Sequence, residues 1–312
     1  MARRATFIED NRKADAAVLI ADAGNFTSYN RREGADFANC MLKGMGRIGY
    51  DVVSISNKDL NNGIELLKNA EVNYGLTFVN ANIYSTQSGR PVFSPYIIKK
   101  DHGLKVGIFG LTEELYWRDK PLLDTLQIEV RPYREIAPEI VNRLRGKVDY
   151  LVLLTDLRLN SLDSLLTKNP GIDLVVTTGS YQPGVRKNYD SPALEVGTGH
   201  RGYTGNLLEI PFDPQHPDTV MYAEIETQLT QDVASDSALL SLITDCKPQP
   251  QNQAAKTASS QTSYNDKPSG SQNNGASAQN RGQVRKSPFP KPVSRTVPPP
   301  RESGGDQSKS DN

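Results

Sequence analysis

Short apolar runs that stop at polar loops punctuate the first 245 residues. Ala17-Val18-Leu19-Ile20-Ala21 ends in Asp22-Ala23-Gly24-Asn25, and Val52-Val53-Ser54-Ile55 ends in Ser56-Asn57-Lys58-Asp59. Tyr150–Leu154 stops at Thr155-Asp156, and Leu174–Val176 at Thr177-Thr178-Gly179-Ser180-Tyr181. Apolar runs of this length, bounded by turn residues, read as buried strands. Leu76–Val79 and Val106–Phe109 are further strands, and Ala193–Val196, Leu207–Ile210 and Met221–Ile225 are shorter ones of more antiparallel character. Between them apolar residues recur at helical spacing. Phe37, Met41, Met45 and Ile48 form one stripe closed by Gly49 as a C-cap; Ile136, Ile140 and Leu144 form another within residues 133–145. Asp236 is placed to cap a last helix running to Ile243. Strands alternating with helices predict an α/β domain, and in such sheets ligands collect at the carboxyl ends of the strands. Asn25, Asn57, Asp156 and Ser180 follow the four runs, so a site is expected there.

The pattern ends after Asp245. Residues 246–312 hold nine of the chain's 20 prolines, much Ser, Gln, Asn and Gly, and no Leu, Ile or Trp. Such a segment buries too little apolar surface to offset its ordering entropy, roughly 1–2 kcal/mol per residue for the backbone, and is expected to be disordered. The net charge of zero conceals an asymmetry: the tail has 10 Lys and Arg against 4 Asp and Glu, leaving an acidic body. The tail's end, from Lys286-Ser287-Pro288 to Pro298-Pro299-Pro300-Arg301, favours polyproline II and suits a protein partner with an aromatic groove. A solubilising linker is the plainer reading. The expected organisation is one domain over 1–245 and a basic Pro/Ser/Gln/Asn-rich tail over 246–312.

Other classes are excluded. No apolar run reaches the roughly 18–20 residues of a membrane span. Met1-Ala2-Arg3-Arg4 opens an amphipathic segment rather than a secretory signal. Two cysteines make no disulfide framework or four-cysteine zinc site. Cys40 reads as core packing and Cys246 as a free thiol. Three histidines (His102, His200, His216) are too few for most His-rich centres. No nucleic-acid motif is visible.

At the strand-end loops the chain resembles the catalytic domain of bacterial 5'-nucleotidases, within the calcineurin-like metallophosphoesterases. The likeness takes in Ala2-Arg3-Arg4-Ala5-Thr6, Asp22-Ala23-Gly24-Asn25-Phe26, Gly49-Tyr50-Asp51 and Ser56-Asn57-Lys58-Asp59-Leu60-Asn61-Asn62-Gly63. It continues through Asn80-Ala81-Asn82-Ile83, Pro95-Tyr96, Lys105–Leu111, Val148–Asp156 and Gly171–Val176, so that it spans residues 2–245. It implies a four-layer α/β/β/α sandwich of two mixed sheets with a site at their shared edge. It also implies metal-assisted phosphoester hydrolysis, in which two divalent ions hold the phosphate and generate hydroxide. The family's first strand, with its Asp-x-His motif, has no counterpart here; the expectation is a start upstream of Met1, where a signal could also lie, or a rebuilt edge. Relatives of this kind are usually periplasmic or exported. Nor is there a counterpart after Asp245 for the family's base-clamping domain.

Most ligand positions implied by the resemblance are substituted. The family's bridging Asp is Asn25, a neutral amide. Its Gly-Asn-His-Glu is Ser56-Asn57-Lys58-Asp59, so Asn57 persists while the proton-donating histidine is Lys58, an amine poorly matched to general acid work near neutral pH. A metal-binding histidine is Asp156, and the closing Gly-His-Ser-His is Thr178-Gly179-Ser180-Tyr181. The degenerate pocket positions are therefore Asn25, Asn57, Lys58, Asp156, Ser180 and Tyr181. Several roles remain open for them. They satisfy loop backbone groups, or Asn25, Asn57 and Asp156, with Ser180, form a weak oxygen site for a divalent metal (Mn, Zn, Mg or Ca). Otherwise Lys58 and backbone amides hold a phosphate-bearing small molecule, with His200 as a further ligand-binding candidate. Lys58 is expected to stand in for the metal's charge by pairing with Asp156 or Asp59. Tyr116 and Trp117 read as a hydrophobic plug. The resulting expectation is a catalytically inactive binding or scaffold module with no cofactor; the alternative is a phosphomonoester or nucleotide hydrolase with residual activity or with ligands supplied by an N-terminal segment.

Overall fold

The computed structural model describes residues 1–12, 16–27, 34–114, 120–178, 183–187, 191–199, 202–211, 219–220, 222–245 and 293–294. Apart from Val293–Ser294, the tail expected to be disordered lies outside the described residues.

The chain runs α1 (Ala2–Asn11), β1 (Ala21–Asp22), α2 (Gly34–Ile48), β2 (Val52–Ser54), a 3-10 turn (Asp59–Asn62) and α3 (Ile64–Tyr74). Next come β3 (Phe78–Val79), β4 (Ile83–Ser85), β5 (Tyr96–Asp101), β6 (Leu104–Leu111), α4 (Lys120–Leu126) and β7 (Ile128–Val130). Then follow α5 (Tyr133–Leu144), β8 (Tyr150–Thr155), α6 (Leu159–Lys168), β9 (Leu174–Thr177), β10 (Pro183–Lys187) and β11 (Leu194–Thr198). β12 (Thr204–Glu209), β13 (Thr219–Val220), β14 (Ala223–Gln228), α7 (Ser237–Asp245) and β15 (Val293–Ser294) complete it.

Two sheets organise these elements. The smaller is parallel, in the order β1-β2-β3. The larger is mixed, in the order β10-β11-β9-β8-β6-β5, with antiparallel strands at its two edges. Side-chain alternation assigns the faces. Val52, Val79, Ile108, Val152 and Leu154 meet between the sheets. Val53 and Phe78 point the other way, onto Leu42 and Met45 of α2 and Leu67 and Ala70 of α3. Phe109, Leu151, Leu153 and Val175 point outward from the larger sheet onto α5 and α6, through Ile136, Ile140, Leu144, Leu162 and Leu166. The result is the expected four-layer α/β/β/α sandwich.

The alternating pattern located these layers because both faces of the central strands are buried. Boundaries moved where tertiary contacts intervene. The first apolar run enters a ladder only at Ala21–Asp22. Before it, Lys99 Nζ donates to the Val18 carbonyl, the Val18 N–H donates to Asp101, and the Ile20 N–H donates to Asp51. Side chains thus serve backbone groups that a neighbouring strand would otherwise serve. On α2 the buried positions are Ala38, Cys40, Leu42 and Met45, while Phe37 and Met41 are half-buried. The helix is gripped by both α3 and α7, so its covered face is wider than the expected stripe. Cys40 is buried, yet its sulfur belongs to a disulfide rather than to a packing thiol; Cys246 lies outside the described residues. Gly49 ends α2 with φ +82°, and Asp236 caps α7 by accepting the Leu239 N–H at 2.6 Å.

The sheets approach closely at Gly110 on β6. A Cβ there would stand 2.4 Å from the Val79 carbonyl oxygen and 2.6 Å from Ser54 Oγ. Gly110→Ala is expected to force the sheets apart and to cost at least about 1–3 kcal/mol, read as a lower urea midpoint; an unchanged midpoint would contradict this packing.

Candidate functional site

β1 and β2 stop at the same end of the smaller sheet, and the loops that follow are bound together by one carboxylate. Asp59, at the start of the 3-10 turn, is completely buried. Its Oδ2 accepts from the Asn25 N–H at 2.9 Å, the Ser56 N–H at 3.0 Å and Ser56 Oγ at 2.6 Å. Its Oδ1 accepts from the Thr27 N–H at 3.2 Å and Thr27 Oγ1 at 3.1 Å. Asn25 is held with φ +59°, after Gly24 at φ +93°. A side chain at Gly24 would meet the Ser54 carbonyl and Ser56 Cβ at 3.0 Å, so the loop passes where glycine alone fits.

The amide of Asn25 is committed at both ends. Its Nδ2 donates to Thr178 Oγ1 at 2.8 Å, joining the smaller sheet's loop to the loop after β9. Its Oδ1 lies 2.9 Å from Ser56 Oγ. Ser56 has one proton, and Asp59 Oδ2 and Asn25 Oδ1 both compete for it. Burial raises the Asp59 pKa, against the pull of the hydrogen bonds from Ser56, Asn25 and Thr27.

Asn57 and Asp156 meet on Thr112, just beyond β6. Thr112 Oγ1 is 2.9 Å from Asp156 Oδ1 and 3.1 Å from Asn57 Oδ1, and shares its proton between them. The Glu113 N–H donates to Asp156 Oδ1 at 2.9 Å, and Asn57 Nδ2 donates to the Glu113 carbonyl at 3.0 Å. Burial raises the Asp156 pKa to about 6, and the Asp59 charge pushes the same way. Thr112 is itself fixed by the buried Asn82, which accepts its N–H and donates to its carbonyl. Asn80, equally buried, donates to the Ile55 carbonyl and accepts the N–H groups of Asn82 and Ile83. The sequence showed Asn80-Ala81-Asn82 without assigning it a role; two asparagines spaced to satisfy turning backbone were the available signal.

A third acidic group was also missed. Asp22, at the end of β1, accepts the Gly24 N–H at 2.9 Å and faces Arg4 of α1 at 3.9 Å. Arg4 also donates to the Tyr50 hydroxyl at 3.1 Å. Burial raises the Asp22 pKa to about 6, against the opposing pull of Arg4. Only the folding of α1 over the sheet brings these three residues together.

The structure therefore gathers Asn25, Asn57 and Asp156 at one end of the two sheets. Lys58 lies in the same turn, where its carbonyl accepts from Thr27 and Asn61. Among the described residues no salt bridge joins Lys58 to Asp59 or Asp156; both carboxyls are supplied by hydroxyl and backbone donors instead. The expected pairing of Lys58 with Asp59 or Asp156 is thus not formed. Ser180, Tyr181, His200, Tyr116 and Trp117 lie outside the described residues. Among the described residues no group of three or more His, Cys, Asp or Glu side chains converges to hold a metal ion. Asn25 Oδ1, Asn57 Oδ1 and Asp156 Oδ1 already meet protein donors, and Asn25 directs an N–H, not a second oxygen, across the gap. Among the described residues this set is poor in the charged oxygens and imidazoles that two ions need.

No protein-family model matches the chain. Among curated proteins it is similar to a 5'-nucleotidase of Vibrio parahaemolyticus, with 27% identity over 191 residues, 60% of this chain and 30% of that protein. A 5'-nucleotidase of Vibrio cholerae is 32% identical over 156 residues, 47% of this chain and 27% of that protein. The chain thus spans less than a third of the length of these relatives. Its fold matches the crystal structure of the calcineurin-like phosphoesterase YfkN from Bacillus subtilis, with a TM-score of 0.61 and 18% identity over 79% of this chain and 87% of that one.

Two outcomes follow from this network. Asp59→Ala strips five hydrogen bonds of their acceptor, and is expected to cost about 3 kcal/mol or more in urea unfolding, because the abandoned donors stay buried. Asp22 and Asp156 have folded pKa values of about 6, raised above the unfolded value. Their contribution to stability is therefore complete below pH ~4 and is lost as the pH rises through ~6. The melting temperature should be higher at pH 5 than at pH 7.5 for this reason, and Asp156→Asn should flatten the dependence; a profile unchanged by that substitution would refute the assignment.

Proposed function

We propose that this 5'-nucleotidase-like metallophosphoesterase domain works as a binding or scaffold module in which a self-satisfied polar cluster replaces two-ion chemistry. One observation carries the reading. Asn25, Asn57 and Asp156, at the strand ends where ligands collect in α/β sheets, spend their side chains on Ser56, Thr112, Glu113 and Thr178. An ion taking Asn25 Oδ1, Asn57 Oδ1 or Asp156 Oδ1 as a ligand would compete with the Ser56, Thr112 and Glu113 donors already on those oxygens.

The ligand class that suits this pocket is a phosphate-bearing small molecule. Lys58 stands at the loop after β2, and anions are held by an ammonium together with backbone N–H groups in turns. No metal is assigned to the site. A protein partner for the Pro-rich tail belongs to the same proposal.

The competing reading is a metal-dependent phosphomonoester hydrolase, which the names of the curated relatives favour. Calorimetric titration with Mn²⁺ or Zn²⁺, beside hydrolysis of p-nitrophenyl phosphate and AMP, separates the two. The expected result is no stoichiometric ion uptake and no turnover that depends on added metal. Two ions bound per chain, with phosphate release abolished by Asp156→Ala, would establish the hydrolase instead.

A further inference from the structure

α7 packs on α2, and Cys40 lies on the covered side of α2 at 6% exposure. Cys40 is disulfide-bonded, and the sequence holds one other cysteine, Cys246. We infer that Cys40 is joined to Cys246, so that a disulfide clasps the last helix of the domain to α2 and the chain matures in an oxidising compartment.

Helix geometry agrees with this pairing. A Cβ at Gly44 would stand 3.7 Å from Leu239 Cδ1, which sets the contact point between the two helices. Cys40 lies one turn before Gly44 on α2, on the same face. In the sequence Cys246 directly follows Asp245, the last residue of α7. The burial of Cys40 opposes pairing with a cysteine of a second chain.

Forming the bond takes two thiols to one disulfide with loss of two protons and two electrons. A disulfide-exchange protein or a low-molecular-weight disulfide of the compartment accepts the electrons. The bond closes most of the domain into one covalent loop, which restricts the unfolded chain and holds the start of the tail against α2. Cysteine bridges of this structural kind persist outside the reducing cytosol, which is the basis for the compartment.

The test is thiol accounting on the full chain, purified without reductant. Alkylation in denaturant should find no free thiol before reduction and two after it. Peptide mapping without reduction should find the Cys40 peptide linked to the Cys246 peptide. Alkylation under acid quench of the cells that naturally make the protein should find the same oxidised form. Cys246→Ser should lower the melting temperature by about 5–15 °C, with Cys40→Ser and the double variant losing about as much. That shared loss marks a cross-link, since independent packing defects would add. Two free thiols before reduction, a linkage between chains, or additive losses would overturn the pairing. A reduced pair in the native cells would overturn the compartment.

Discussion

The acidic side chain of Asp59, enclosed at the end of the smaller sheet, is the contact on which the rest of the strand-end region depends. A buried carboxyl is tolerated only when its oxygens are fully engaged, and this one collects donors from Asn25, Thr27 and Ser56. Those donors come from two loops far apart in sequence, so the carboxyl fixes the loop after β1 against the loop after β2. The left-handed turn at Gly24 and Asn25 follows from that constraint, because the Asn25 N–H must point inward.

From this anchor the polar contacts spread across the sandwich. Asn25 reaches Thr178 beyond the larger sheet, while Thr112 brings Asn57 and Asp156 to one hydroxyl. Three carboxyls, Asp22, Asp59 and Asp156, share the region and repel one another when ionised. Divalent cations are one way to hold such a group together. Within the protein the load is also lowered by an amide at position 25, by Arg4 brought in by α1, and by burial that raises the carboxyl pKa values.

Much of the fold was legible in advance. Val52-Val53, Val152-Leu153-Leu154 and Leu174-Val175-Val176 read as strands because consecutive apolar residues serve two buried faces. Asp236 was recognisable as a cap by its residue type, and Gly49 as a helix end. The strand-end placement of Asn25, Asn57 and Asp156 was also readable, since it depends on local succession along the chain. The expected pairing of Lys58 with Asp59 or Asp156 was not met, because proximity in a motif does not say which donor reaches a carboxyl first. Backbone N–H groups and hydroxyls of the same loops arrive without the desolvation of an ammonium.

The amino-acid order by itself determined the alternation of strand and helix and the placement of Asn25, Asn57 and Asp156 at strand ends. These are properties of neighbouring residues and of residue type. The tertiary structure alone decided that Arg4 faces Asp22, that Thr112 joins Asn57 to Asp156, and that Cys40 is bridged rather than merely packed. Each of those contacts joins residues distant in sequence, and their energies depend on burial, which a linear pattern does not contain.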